Sequence, residues 1–494
     1  MPSSVVVLVV TLSYLAASLL VGLWPGRRAS TTAEGYVAGD RTLGLVLMYF
    51  ITGATIFSAF AFLGGPGWAY SRGAAAFYIL GYGALGFIPF YFLGPRAARL
   101  GRRYGFVTQA EMVAARFRMP SIAGVMAVVS VVAFVPYLAL QMKGAGYVLS
   151  AVTRGAIEEW QGAALVYGVV LVYVLRSGVL GVGWTNTFQG IFMMVLAWGL
   201  GLYLPYRLYG GVGEMFRMIL LERPELLQAP GLAADGSPWS WGEYSSAVIV
   251  SAVGFTMWPH LFMKAFTSRN DKTIRRTVIL YPTFQIFLVP LFLIGFCGVL
   301  FDPPPGQADQ VLPHILMNID VPAFLVGLFC AGALAASMSS GDAMAHAAAS
   351  IAVRDGVVGA LGFRPDPGMQ RTMIRWVLIG VMVVAYAVAV VYEGSLVFLL
   401  LSAYGGVVQF APGVAATLLS RRVTGKGVLS GLLVGSLVTV LFVFWPWLRP
   451  WPVHAGVYGL IVNALTLVGV SVLTRKDTEA EGGDFLQVAG NAQS

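Results

Sequence analysis

The sequence predicts an all-α integral membrane protein of about 13 transmembrane helices, and three observations carry that prediction. Hydrophobic residues make up 58% of the 494 and charged residues only 11%, where a soluble domain holds about a quarter charged. Apolar runs long enough for a hydrocarbon layer of about 30 Å recur from end to end, and the mean hydropathy is +0.78. The basic residues fall mainly in alternate loops. A chain of this kind has the lipid bilayer for solvent and leaves no room for a separate soluble domain. The formal charge of +9 is spread over short loops, so it reads as topology and not as a nucleic-acid surface.

In order, the apolar stretches lie near residues 4 to 24, 43 to 65, 74 to 95, 121 to 148, 162 to 178, 184 to 208 and 245 to 265. Six more lie near 278 to 301, 321 to 353, 373 to 392, 394 to 419, 427 to 448 and 455 to 473. They are called spans one to thirteen below. Spans four and nine are long enough to tilt. Span one has no basic residue before it and Arg27-Arg28 just after it, the flank of a retained first span with its amino terminus outside. With that orientation the inside loops hold 23 of the 31 Lys and Arg residues, among them Arg96, Arg99, Arg102 and Arg103, then Arg269, Lys272, Arg275 and Arg276. The outside loops hold six. The carboxyl terminus is then cytoplasmic, at the plasma membrane, and residues 474–494 form a polar tail. Cys297 and Cys330 both lie inside apolar segments, which disfavours a structural disulfide.

Two spans are interrupted by helix-weakening residues: span two by Gly53 and by Gly64-Gly65-Pro66-Gly67, span seven by Gly254 and Pro259. They stand five spans apart, so residues 43–208 and 245–419 read as two repeats of opposite topology inside one transmembrane unit, 1–473. Unwound backbone at mid-membrane is tolerated where it lines a cavity, and matching breaks in two halves point to a transport site. The plainer reading is that Gly and Pro are common in membrane helices. The expectation is a secondary transporter.

Five stretches together resemble the sodium:solute symporter family, which includes proline, sugar, pantothenate, sialic acid and monocarboxylate carriers. They are GATIFSAFAFLGGPGWAYSRG from Gly53, PYLALQMKG from Pro136, GVGWTNTFQGIFMMVL from Gly181, LAASMSSGDAMAH from Leu334 and GGVVQFAPGVAATLLSRRVTGKGVLSGLLVG from Gly405. They run in the family's order from span two to span twelve. The resemblance implies a five-plus-five inverted repeat with flanking helices, and import of a small organic solute by alternating access, driven by Na+ as coupling ion.

In LAASMSSGDAMAH, Ser339 and Ser340 follow Ala336 by three and four residues, so their hydroxyls sit beside its carbonyl on one helix face. Hydroxyl and carbonyl oxygens suit a hard cation such as sodium, with unwound carbonyls completing the shell. Read alone, the Ala/Ser/Gly run is first of all a close helix-packing face. The resemblance implies a sodium site of Ala336, Ser339 and Ser340 with the carbonyls of Ala54 and Phe57. Asp342 is a carboxylate at membrane depth, which costs about 2.5–3.5 kcal/mol to insert and marks function by default. The aspartate that some members carry in the WTD motif is Asn186 here, and the span-two aspartate of the proline carriers is Ile56. Asp342, with Asn186 as neutral neighbour, therefore reads as a relocated charge serving a second cation or a proton. Pairing with His346, four residues on, is the alternative.

On the solute side, Lys143 lies far from both ends of span four and needs an anionic partner, which an organic anion would supply; Asp342 or a misplaced boundary are the other accounts. Gln141 is a hydrogen-bonding neighbour, and Trp258, Pro259 and His260 follow the break in span seven. The stretches FLGGPGWAY and ALQMKG look most like the monocarboxylate and pantothenate carriers. Lys143, Gln141 and Trp258 are thus the expected solute residues, with a monocarboxylate or similar anion as partner. Proton-coupled or uncoupled transport and a solute sensor remain alternatives. A membrane enzyme is disfavoured, because His260, His314, His346 and His454 show no metal-ligand spacing and no nucleophile or phosphate-loop motif has a credible context.

Overall fold

A computed structural model describes residues 4–24, 33–38, 41–394, 396–474 and 479–490. Arg27 and Arg28, on which part of the orientation rests, lie outside the described residues. The described chain is helical with only isolated β-bridges, as lipid requires, since a helix satisfies its backbone polar groups within the segment.

Span one is Ser4–Leu23. Spans two and seven are each bent at a break: Leu45–Ile56 against the helical run that begins at Phe60, by 55°, and Trp241–Phe255 against Pro259–Thr267, by 44°. Span three runs through Phe77–Gly86 and Ile88–Tyr104, and span four is the 33-residue Pro120–Val152. Spans five and six form one helical stretch, Glu159–Tyr209, folded back at Gly178, whose φ of 55° only glycine adopts freely. Spans eight to ten are Asp271–Gly298, Ala323–Ile351 and Pro367–Val391. Span eleven comprises Leu396–Val407 and Phe410–Leu419, followed by Gly425–Phe444 and Ala455–Thr474. Among the described residues eight helices are long and apolar enough to cross a membrane, or ten if each bent pair is one span, and span nine is at the centre: all but a few of its residues are buried, against spans one, four, five and six.

Two details differ from the sequence reading. The break in span two falls at Phe57 and Ser58, between Gly53 and the Gly64–Gly67 cluster, and not at either. The glycines serve close approach instead: a Cβ at Gly53 would stand 2.3 Å from the Phe284 ring, and one at Gly67 would stand 2.7 Å from Asp309 Oδ1. The tail also contains a helix, Glu479–Gly490. Its Phe485 and Ala489 are buried, and Phe485 stacks on Tyr104 at 5.7 Å between ring centroids. An i, i+4 apolar pair suffices to dock one face of a short helix.

Candidate ion and solute site

In an unbroken span two, Ser58 N would donate to Ala54 O and Ala59 N to Thr55 O. The chain leaves helical geometry at Phe57 (φ −80°, ψ 78°), and both donors turn elsewhere: Ser58 N to Ile56 O at 2.9 Å and Ala59 N to Gln141 Oε1 at 2.8 Å. The two released carbonyls are taken by the serine pair of span nine. Ser339 Oγ donates to Ala54 O (2.9 Å) and to Ala336 O (3.1 Å), and Ser340 Oγ donates to Thr55 O (2.7 Å). Five residues of the expected sodium set, Ala54, Phe57, Ala336, Ser339 and Ser340, are thus buried around one break. The two oxygens nearest Ser339 Oγ lie about it at the spacing of a ligand shell, and a serine hydroxyl can turn its lone pairs inward when a cation enters. Thr55, which the sequence reading left out, supplies a carbonyl to the same cluster.

Asp342 lies on span nine one turn beyond Ser339 and is fully buried. Its Oδ2 accepts from Tyr173 OH (2.8 Å) and Thr185 Oγ1 (3.0 Å), and its Oδ1 from Asn186 Nδ2 (3.4 Å). Asn186 is therefore the neighbour expected of it. His346 does not pair with Asp342: its Nε2 lies 3.1 Å from Tyr36 O. Lys143 does not reach it either.

The break in span seven lies at Thr256 to Trp258. There Met257 O is held by Gln109 Nε2 at 3.1 Å, from the short helix Gln109–Phe117. Around the break stands an aromatic chamber. Trp258 packs on Tyr137 (4.9 Å), Tyr404 (5.5 Å) and Phe134 (5.7 Å), and Tyr82 joins Tyr404 to Tyr78 and Phe255. Several buried polar groups here face one another at loose geometry, Ser58 toward Tyr137, Tyr78 toward Ser251 and Trp258 toward Tyr404, and Gln141 Nε2 has no protein partner among the described residues. An orphaned buried donor costs about 1–3 kcal/mol, and a guest molecule would relieve that of Gln141.

The structure brings Gln141 and Trp258 to this chamber and sends Lys143 elsewhere. Lys143 Nζ donates to the Tyr392 carbonyl at the end of span ten, between the rings of Tyr147 and Tyr392, each 5.7 Å away. It lines an outer cleft of about 380 Å³ with Glu158, Glu159 and Trp160. The spacing Lys143–Gln141 already forbids a common face, because residues two apart point apart on a helix. Tyr137, one turn before Gln141, had the better signal. Tyr78, Tyr82 and Tyr404 carried none, being apolar-run aromatics like many others. Elsewhere in the fold Tyr147 OH donates to Gln307 Oε1 (2.9 Å), Gln310 Nε2 donates to Glu159 Oε1 (3.4 Å), and Arg354 pairs with Glu111 (2.7 Å).

With this geometry in view, the relatives are informative. The profile of the Sodium:solute symporter family matches residues 36–435. An uncharacterized symporter of Bacillus subtilis, YhjB, is 28% identical over 492 residues, covering 96% of this chain and 98% of that protein. The sodium/pantothenate symporter of Escherichia coli is 25% identical, covering 86% of this chain and 88% of its own. The structure of a Na+-coupled sialic acid symporter in a substrate-bound outward-open state superposes with a TM-score of 0.77 at 20% identity, over 95% of this chain and 98% of that one. The last establishes the inverted-repeat fold with flanking helices. The chain is a multi-pass membrane transporter and not an enzyme, and it belongs to the sodium:solute symporter family.

Proposed function

We propose that the protein imports a small organic anion, most simply a monocarboxylate, together with sodium bound at Ala54, Phe57, Ala336, Ser339 and Ser340. The observation that carries the anion is the unpaired N–H end of Gln141 at the break. Gln141 Oε1 is committed to Ala59 N, so the amide is left with its N–H end. The Trp258 indole, which faces Tyr404, and the hydroxyls of Ser58 and Tyr78, which face Tyr137 and Ser251, can turn toward a guest beside it. A carboxylate or keto-acid offers the acceptor that the amide N–H lacks, and the aromatic walls suit a short carbon skeleton. Its charge is balanced by the sodium ion, one turn away on the same broken helix: Ala54 faces the ion and Ser58 the solute.

Lys143 acts at the outer cleft, where its charge draws anions toward the chamber. The amino terminus is outside and the carboxyl terminus cytoplasmic, as the loop charges favour. Asp342, beside Asn186, holds a second cation or a proton. Asp342→Asn is then expected to reduce gradient-driven uptake far more than equilibrium solute exchange, which does not require the empty carrier to reorient.

The test is uptake into proteoliposomes of labelled carboxylates and of their neutral amides, with sodium and proton gradients imposed separately. Sodium-driven accumulation of a carboxylate that its amide does not inhibit is the expected result. Equal competition by the amide would remove the anion, and accumulation under a proton gradient alone would remove sodium as the coupling ion.

A further inference from the structure

Gln141 is held from two sides, and both holds lead back to the break in span two. Its side-chain Oε1 accepts from Ala59 N at 2.8 Å, and its backbone carbonyl accepts from Ser337 Oγ of span nine at 2.7 Å. A buried serine in a membrane helix commonly turns its hydroxyl onto its own backbone, as Ser130 and Ser350 do onto the carbonyls of Met126 and His346, four residues back. Ser337 departs from that habit and crosses to span four. Its place is fixed from span five, where Tyr167 OH donates to Ser337 O at 2.9 Å and lies 3.1 Å from Ser337 Oγ. Two glycines allow these approaches: a Cβ at Gly341 would stand 2.2 Å from Tyr167 OH, and one at Gly144 would stand 2.6 Å from the Ala59 Cβ. Gln141, Ser337, Tyr167 and Ala59 are all buried.

These bonds close into a circuit. The Ala54 and Thr55 carbonyls before the break accept from Ser339 and Ser340. Ser337, two residues before Ser339 on the same helix, holds Gln141 O, and Gln141 holds Ala59 N after the break. Span nine therefore grips the break directly on its carbonyl side and, through Gln141, on its amide side. We propose that Ser337 is a positioning residue that ties the cation site to Gln141, so that the ion sets the place from which the Gln141 amide meets the solute. The proposal rests on the reading of this break as a sodium site with the solute beside it. A cation shell built partly of unwound backbone needs that backbone held still, and here one end is held by the ion's own serines and the other by Gln141. Sodium that draws the Ala54 carbonyl and turns the Ser339 hydroxyl then acts on Gln141 through the helix that carries Ser337. Linkage is reciprocal, so a hold that orders Gln141 also tightens the ion's shell, and releasing it loosens the shell.

Titration of the melting temperature of the purified full chain with sodium, against choline at equal ionic strength, reads this tie without a solute. Ser337→Ala and Gln141→Leu should each weaken sodium binding by about three- to tenfold, the range expected of one interhelical hydrogen bond in a membrane. The double variant should bind no more weakly than the weaker single one, because both substitutions cut the same circuit. Ser130→Ala removes another buried hydroxyl, one that bonds within its own helix, and should leave sodium affinity unchanged. An equal loss in Ser130→Ala would reduce the effect to general packing and overturn the tie. Full sodium affinity in Ser337→Ala, or a double variant weakened by the product of the two single losses, would overturn the tie and leave the sodium site standing. An unmutated protein that melts alike in sodium and in choline would overturn the tie and the sodium site together.

Discussion

The breaks in spans two and seven occupy equivalent places in the two repeats, bend by similar angles, 55° and 44°, and have opposite chemistry. Span nine meets the first break with Ser339 and Ser340, and the released carbonyls of Ala54 and Thr55 face hydroxyl oxygens. Span four, its counterpart, meets the second with the rings of Phe134 and Tyr137 against Trp258. On the proposed function, one backbone device serves two guests. Oxygen atoms gathered at close range suit a small hard cation, while rings with an unpaired N–H group suit a carbon skeleton carrying acceptors. The inverted repeat supplies the unwinding, and the residues of spans four and nine give the two breaks their different surroundings.

The sharpest way to break this comparison is to remove the hydroxyls at the first break. Ser339→Ala with Ser340→Ala leaves the Ala54 and Thr55 carbonyls without their donors, at about 1–3 kcal/mol each, and strips the cation of two ligands. Sodium-dependent stabilisation against heating should vanish and sodium-driven uptake fall by at least about a hundredfold, since a ligand stabilises only the state it binds. A double variant that melts higher in sodium than in choline, as the unmutated protein should, would show that the first break does not hold the ion.

Trp258→Phe probes the second break with the ring kept and the N–H removed. A hydrogen bond to a charged group contributes about 1.5–3 kcal/mol, so the KM for a carboxylate should rise by about ten- to a hundredfold while the sodium effect on melting stays in place. If both change together, the two breaks do not divide the labour as described.

Gln109→Leu should have a smaller effect, confined to the second break. Met257 O loses its donor, at about 1 kcal/mol net, and the site is expected to open more readily on the side of the helix Gln109–Phe117. Labelling of a cysteine introduced near Met257 by a membrane-impermeant reagent added on that side should speed up by a few fold. An unchanged labelling rate would make Gln109 a bystander.

The smallest effect is expected of Lys143→Gln. The side chain lies at the outer cleft and not in the chamber, so it should alter the encounter rate, by less than about threefold and only at low salt, because exposed charges are screened over about 10 Å. A large, salt-independent rise in KM would put Lys143 in direct contact with the solute.

The spans, the two interruptions and the serine pair beside Ala336 could be read from the sequence alone, because each depends on contacts within one helix or on the length of an apolar run. The serine pair was readable for a further reason: polar side chains in a membrane helix are few, and each demands an account. The chamber was not readable. Tyr78, Tyr137, Trp258 and Tyr404 come from four spans scattered over more than half the chain. In lipid, the buried face and the lipid face of a helix are both apolar, so periodicity does not say which aromatic looks inward. The position of the span-two break was also decided by partners, Gln141, Ser339 and Ser340, that stand ready to take up the freed backbone groups, and not by the glycines nearby. The same holds for Lys143, which packing against span ten directs away from the second break.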